Sequence, residues 1–168
     1  MKPAPLPSQT KIREWLHYEP TTGIFVWIKK SSPRAMVGDK AGTICGQYRV
    51  IALERKAYKA HRLAWVYVYG KEPTELLDHI NGDTSDNRIC NLREASYSGN
   101  SRNSKKRRGN ISGYKGVVPS GLKSKPWKAQ INVGGKVRSL GFFVDPYEAH
   151  LVWCAAAKEA YGEFARFA

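Results

Sequence analysis

Apolar and polar positions follow two different periods along this chain, and the switches between them mark three zones. In the first, "KIREWLHY" has the spacing of a short helix, and "PTTG" turns the chain into "IFVWIKK", a strand pattern. "YRVIAL" and "KAYKA" are short apolar runs on either side of Glu54 and Arg55, which predicts a hairpin. "HRLAWVYVYG" has Leu63, Ala64, Val66 and Tyr67 at helical spacing and Gly70 as a stop, so a helix is expected there. In the second zone "ELLD" reads as a strand ending at Asp78, followed by a long polar loop. "NLREAS" reads as the returning strand and "SYSGNSRNSKK" as a helix with Ser96 at its N-cap. Strand, loop, strand and helix make a ββα unit at about residues 75–104.

The third zone has the cleanest pattern. "YKGVVPS", "WKAQINV" and "VRSLGFF" predict three strands, and "DPYEAHLVWCAAAKEAYG" an amphipathic helix. Asp145 suits its N-cap, Pro146 the first helical position, Glu148 the position three beyond the cap and Gly162 the stop. Ala149, Val152, Trp153, Ala156 and Ala160 are the face expected to cover the sheet. The fold class is therefore α+β. A β-rich N-terminal segment leads into the ββα unit, and a three-stranded antiparallel sheet packed on one C-terminal helix follows. The expected division is a loose leader over 1–10, a first domain over 11–104, a basic linker over 105–112 and a second domain over 113–168.

Charge narrows the function. A hydrophobic fraction of 42% allows a buried core, while a formal charge of +14 favours a polyanionic partner. Between Glu94 and Asp145 there is no acidic residue, only basic ones interleaved with Tyr114 and Trp127. Nucleic acid is the expected partner. A membrane is not: no apolar run approaches the roughly 20 residues that cross a bilayer. "MKPAPLPSQT" lacks the apolar core of a secretory signal, so a cytoplasmic, non-secreted protein is expected. Cys45, Cys90 and Cys154 are scattered, which argues against a disulfide framework and against structural zinc.

The polar loop offers chemistry. Phosphodiester hydrolysis needs a group that takes a proton from water near neutral pH, and His79 is of that type. It also needs a divalent cation on hard oxygen ligands, for which Asp78 has a carboxylate and Asn100 an amide oxygen. Asn91 is placed to brace the loop and so to orient His79. Asp83 and Asp86 are explained more simply by turn chemistry. His61, His150 and His17 are read as packing or surface residues, and Trp127 as core.

The segment "HRLAWVYVYGKEPTELLDHINGDTSDNRICNLREASYSGNSRN", with "DHINGD", "NRICNLR" and the closing Asn of "SGN", resembles an HNH homing-type endonuclease of the bacteriophage kind. The resemblance implies His79 as the general base, Asp78 and Asn100 as the metal ligands and Asn91 as the residue that steadies the loop. It implies one divalent metal ion, Mg²⁺ or Mn²⁺, and no small-molecule substrate. "GYKGV", "WKAQINVGGK", "LGFF" and "EAHLVWCAAAKEAYGEFA" are similar to the plant ethylene-response-factor type of DNA-binding domain, which lays its sheet in the major groove. Double-stranded DNA is then the expected partner, contacted by Arg102, Lys105, Lys106, Arg107, Arg108, Lys115, Lys128, Gln130, Asn132 and Arg138. A monomer is the expected state, for which nicking is natural while cutting both strands would need a dimer or a second event; both outcomes stay open, and a non-catalytic DNA-binding regulator is the alternative.

Overall fold

The computed structural model describes residues 5–32, 35–104 and 109–167. Residues 1–4 of the expected leader, and Lys105, Lys106, Arg107 and Arg108 of the expected DNA contacts, lie outside them. The described chain is mixed α and β, with small antiparallel sheets and a C-terminal helix. It forms two compact units, Met1–Ser96 and Tyr97–Ala168. That division falls ahead of the expected boundary at 104, because the helix after Ser96 packs with the C-terminal unit. Among the described residues no helix is long and apolar enough to cross a membrane.

The first unit opens inside the expected leader. The Leu6 amide donates to Glu72 at 2.8 Å, and the Ser8 hydroxyl caps helix α1 (Gln9–Trp15). The helix is shorter than "KIREWLHY" predicts. Leu16–Glu19 leave it as strand β1, which pairs antiparallel with β2 (Ile24–Trp27). Alternation on β1 buries Leu16 and Tyr18 and exposes His17, so tertiary pairing overrides the local helical pattern. Strands β3 (Thr43–Cys45), β4 (Tyr48–Leu53) and β5 (Lys56–Lys59) form a second sheet. The β4–β5 turn places Glu54 and Arg55 both at positive φ, as a two-residue hairpin turn requires.

Helix α2 (Ala60–Tyr69) ends at Gly70 in the left-handed conformation. It buries Ala60, Leu63, Ala64 and Val66 against Ile12, Leu16, Phe25, Ile51 and Leu53. Burial of apolar side chains of this size contributes roughly 1.5–3 kcal/mol each, which lets a small unit hold a polar loop on its flank. A third ribbon, β6 (Leu76–His79) with β7 (Leu92–Ala95), carries that loop. Leu92 joins the core, so the ribbon is fixed along one face.

The core reaches the loop at two points. The Tyr18 hydroxyl, buried well enough to push its pKa upward, donates to the Asn87 carbonyl at 2.7 Å. Gly23, at φ +72°, lies so close to the backbone of Asn87 and Arg88 that a Cβ there would overlap both. Gly23→Ala is accordingly expected to cost about 1–3 kcal/mol of stability, strain and overlap together. Denaturant melts measure this, and an unchanged midpoint would mean that the β1–β2 turn does not hold Asn87.

The second unit begins with helix α3 (Tyr97–Arg102). Its sheet has the order β10 (Lys136–Phe143), β9 (Trp127–Val133), β8 (Val117–Pro119), all antiparallel. Helix α4 (Pro146–Tyr161) is capped by Asp145, whose side chain accepts from the Glu148 amide, and stops at Gly162. It buries Ala149, Trp153 and Ala157 on Val117, Ala129 and Ile131. The face is rotated slightly from the expected one: Val152 and Ala160 are exposed, and Ala157 takes the inner position.

Candidate active site

Asp78 and His79 end β6, and successive strand residues point to opposite faces. His79 lies across from Leu92 and Asp78 across from Arg93, so the ribbon carries the imidazole on one side and the carboxylate on the other. Both are buried, at 5% and 4% exposure for Asp78 and His79. The Asp78 Oδ2 accepts from Nε and Nη2 of Arg93, each at 3.0 Å, which is the result of the cross-strand register.

The loop between the strands is built from its own Asn and Asp side chains. The Asn91 Oδ1 accepts from the Asn81 amide at 3.0 Å, while its Nδ2 donates to Asn81 Oδ1 at 3.0 Å and to the Asp86 carbonyl at 2.8 Å. The Ile80 amide donates to the Asn91 carbonyl at 2.9 Å. Asp83 accepts from the Ser85 amide and hydroxyl, an Asx-type turn. Asp86 accepts from Asn81 and from Arg88, and the Arg88 guanidinium holds its carboxyl down at about 2. Asp83 and Asp86 thus serve the loop, and the Thr84 hydroxyl ties it to the Gln47 carbonyl.

One residue of that loop reaches the imidazole, and sequence reasoning passed over it. The His79 Nε2 is 3.1 Å from Asn87 Oδ1, with Asn87 only 2% exposed. The Asn87 Nδ2 donates to the Ser85 carbonyl at 3.3 Å, which turns the amide oxygen toward the ring. An amide oxygen only accepts, so His79 donates from Nε2, which in the neutral ring puts the lone pair on Nδ1. In the sequence Asn87 is one of several turn-forming residues, and only the contact distinguishes it.

His61, on the first turn of α2, was expected to be a packing residue, and it packs against His79. The two rings are edge to face, with centroids 5.1 Å apart and planes at 83°. Burial pushes the His61 pKa down to about 3, so it is neutral at physiological pH. Tyr48 completes the wall, its ring 5.2 Å from His61 and 6.3 Å from His79.

The remaining expected residues lie in the second unit. Asn100 is half-buried on α3. The Arg102 guanidinium lies 5.0 Å over the Tyr161 ring. Lys115 departs from its expected place at a DNA face. Its ammonium donates to the carbonyls of Arg102, Ser104 and Arg166, and burial beside the Arg166 charge brings its pKa down to about 8. Lys128, Gln130 and Asn132 share the sheet face away from α4, where Lys128 lies 5.9 Å over the Phe142 ring. Arg138 does not join them. It pairs directly opposite Ile131 and so shares the helix side of the sheet, ahead of a register shift between Ser139 and Gly141.

For a metal, the donor set matters. Among the described residues no three His, Cys, Asp or Glu side chains gather as a ligand group. A carboxylate and an amide oxygen are hard donors. They fit a cation that keeps several waters, as Mg²⁺ and Mn²⁺ do, and do not fit zinc. Arg93 donates to the Asp78 Oδ2 from two nitrogens.

A family model described as HNH endonuclease matches residues 58–102, from β5 to the end of α3. No curated protein matches the chain, and no solved structure does. HNH nucleases generally use a divalent metal, and their substrate is nucleic acid. The matched segment contains the ribbon, its braced loop and the oriented imidazole of His79. The protein is a nuclease, a phosphodiester hydrolase that carries an HNH endonuclease domain over residues 58–102.

Proposed function

We propose that the enzyme is a metal-dependent endonuclease of the homing type that cuts double-stranded DNA. The observation that supports this best is the His79–Asn87 hydrogen bond, which turns Nε2 toward Asn87 and makes Nδ1 the basic nitrogen whenever the ring is neutral. In the proposed reaction His79 takes a proton at Nδ1 from the attacking water. Asn87 keeps the ring in that tautomer, and Asn91 keeps the loop closed around it. Asp78 and Asn100 are the oxygen ligands for Mg²⁺ or Mn²⁺, and Arg93 orients the Asp78 carboxylate. The bound cation offsets negative charge on the phosphate and the departing oxygen.

The C-terminal unit is the DNA-holding part in this reading, a sheet of the ethylene-response-factor kind that presents Lys128, Gln130 and Asn132. Gln and Asn pair with adenine edges and Lys with phosphates. Arg102 and the basic run 105–108 add phosphate contacts. The enzyme works as a monomer in the cytoplasm, where its three free cysteines stay reduced.

Supercoiled plasmid incubated with the protein tests the proposal. Open-circular product is expected with Mg²⁺ or Mn²⁺ and none with EDTA, and linear product would indicate that both strands are cut. Cleavage that survives EDTA would overturn the metal dependence. Cleavage of duplex RNA in preference to DNA would overturn the substrate.

A further inference from the structure

Lys115 is a basic residue in a protein with a large positive charge, yet its ammonium faces the protein. Nζ donates to the carbonyls of Arg102 at 2.9 Å, Ser104 at 2.7 Å and Arg166 at 2.9 Å. An ammonium has three N–H groups, so the three carbonyls saturate it. The Trp153 ring lies 5.4 Å from Nζ. Gly116 lets that ring approach, since a Cβ there would overlap it.

Of the three acceptors, the Arg102 carbonyl is the last of α3 and the Ser104 carbonyl lies two residues beyond it. The last carbonyls of a helix have no partner within it, and a cation at that end is favoured. At six residues α3 is far too short to persist alone. The same unit grips it at two further points. Gly99 is buried against Phe164, so that an added Cβ would lie 3.2–3.4 Å from the ring, and Arg102 lies over Tyr161. Asn100 sits between these grips, one residue after Gly99 and two before Arg102.

We propose that Lys115 is a positioning residue of the nuclease, fixing α3 and with it the Asn100 amide. This rests on Asn100 being a metal ligand. The helix that carries Asn100 is held by Lys115 just ahead of β8, by Tyr161 at the end of α4 and by the chain after α4. Lys115 then acts on the metal requirement and not on phosphate contact.

Full-length Lys115→Met separates the two roles. DNA affinity is measured by gel retardation across a range of salt, and cleavage at saturating DNA across a range of Mg²⁺. Affinity and its salt dependence are expected to stay at wild-type values. Half-maximal Mg²⁺ is expected to rise about 10-fold or more, as when a residue supporting a metal ligand is removed. Phe164→Ala loosens α3 from another side and is expected to raise the Mg²⁺ requirement in the same way. It serves in place of Lys115→Met should that variant fail to fold by circular dichroism. A wild-type Mg²⁺ requirement in these variants overturns the proposal. So does a salt slope lower by about one for Lys115→Met with its cleavage at saturating DNA unchanged, the mark of a lost phosphate contact. Asn100→Ala runs beside them. If it keeps the wild-type Mg²⁺ requirement, the ligand reading has failed. If it alone shifts, the positioning role of Lys115 has failed.

Discussion

His79→Ala is expected to lower strand cleavage by about 10²–10⁴-fold, the usual contribution of a positioned general base, with DNA affinity within about twofold of wild type. The side chain is buried at the end of β6 and is not among the residues proposed to hold DNA, so its loss removes a proton acceptor and little binding surface. No neighbour replaces it. His61 is the nearest imidazole, but burial keeps its pKa near 3, and a base that weak takes few protons from water near neutral pH. Single-turnover cleavage at saturating DNA reads the effect directly. A rate above about a tenth of wild type would be too small a loss for a general base and would remove His79 from that role.

Asn87→Ala has the second largest expected effect. Without the amide oxygen, His79 loses the partner that selects its tautomer and holds its ring, and displacement of a reacting group by about 1 Å costs on the order of 10²-fold in rate. Asn87→Asp keeps an acceptor at that place and is expected to recover much of the loss. The two variants separate orientation from mere packing, since a packing role would not distinguish them. Stability is expected to fall by about 1–3 kcal/mol in the alanine variant, where buried polar groups lose a partner. Wild-type cleavage by Asn87→Ala would show that the hydrogen bond does not orient the base.

What the sequence made legible divides along physical lines. Strands such as Tyr48–Leu53 and Trp127–Val133 announce themselves by alternation, and α4 by its cap and stop, because those signals are local. The end of α1 was not local. Leu16–Glu19 follow a helical pattern but gain more by pairing with β2. In the site, Asp78, His79 and Asn91 were readable from joint spacing. Asn87, Arg93 and the His61 contact were not, because each is defined by a partner brought near by the fold. Lys115 shows the limit for basic residues: composition marks a charge, and only the structure shows that its ammonium turns inward. Arg138 required the cross-strand register, and the edge of α3 required knowing which unit grips it.

The contacts around Asn87 also imply an order of assembly. The bonds within the loop span at most 11 residues, from Ile80 to Asn91, whereas the Tyr18 bond to Asn87 closes 69. Short-range contacts close quickly and long-range ones late. The loop therefore takes shape before the β1–β2 turn docks behind it, and in the interval Asn87 lacks the backing of Tyr18. Chains caught part-way would be basic enough to hold nucleic acid without being able to break it. The cutting function arrives only when the earliest-made hairpin closes on a loop made some sixty residues later, so competence for cleavage reports completion of the first unit's fold.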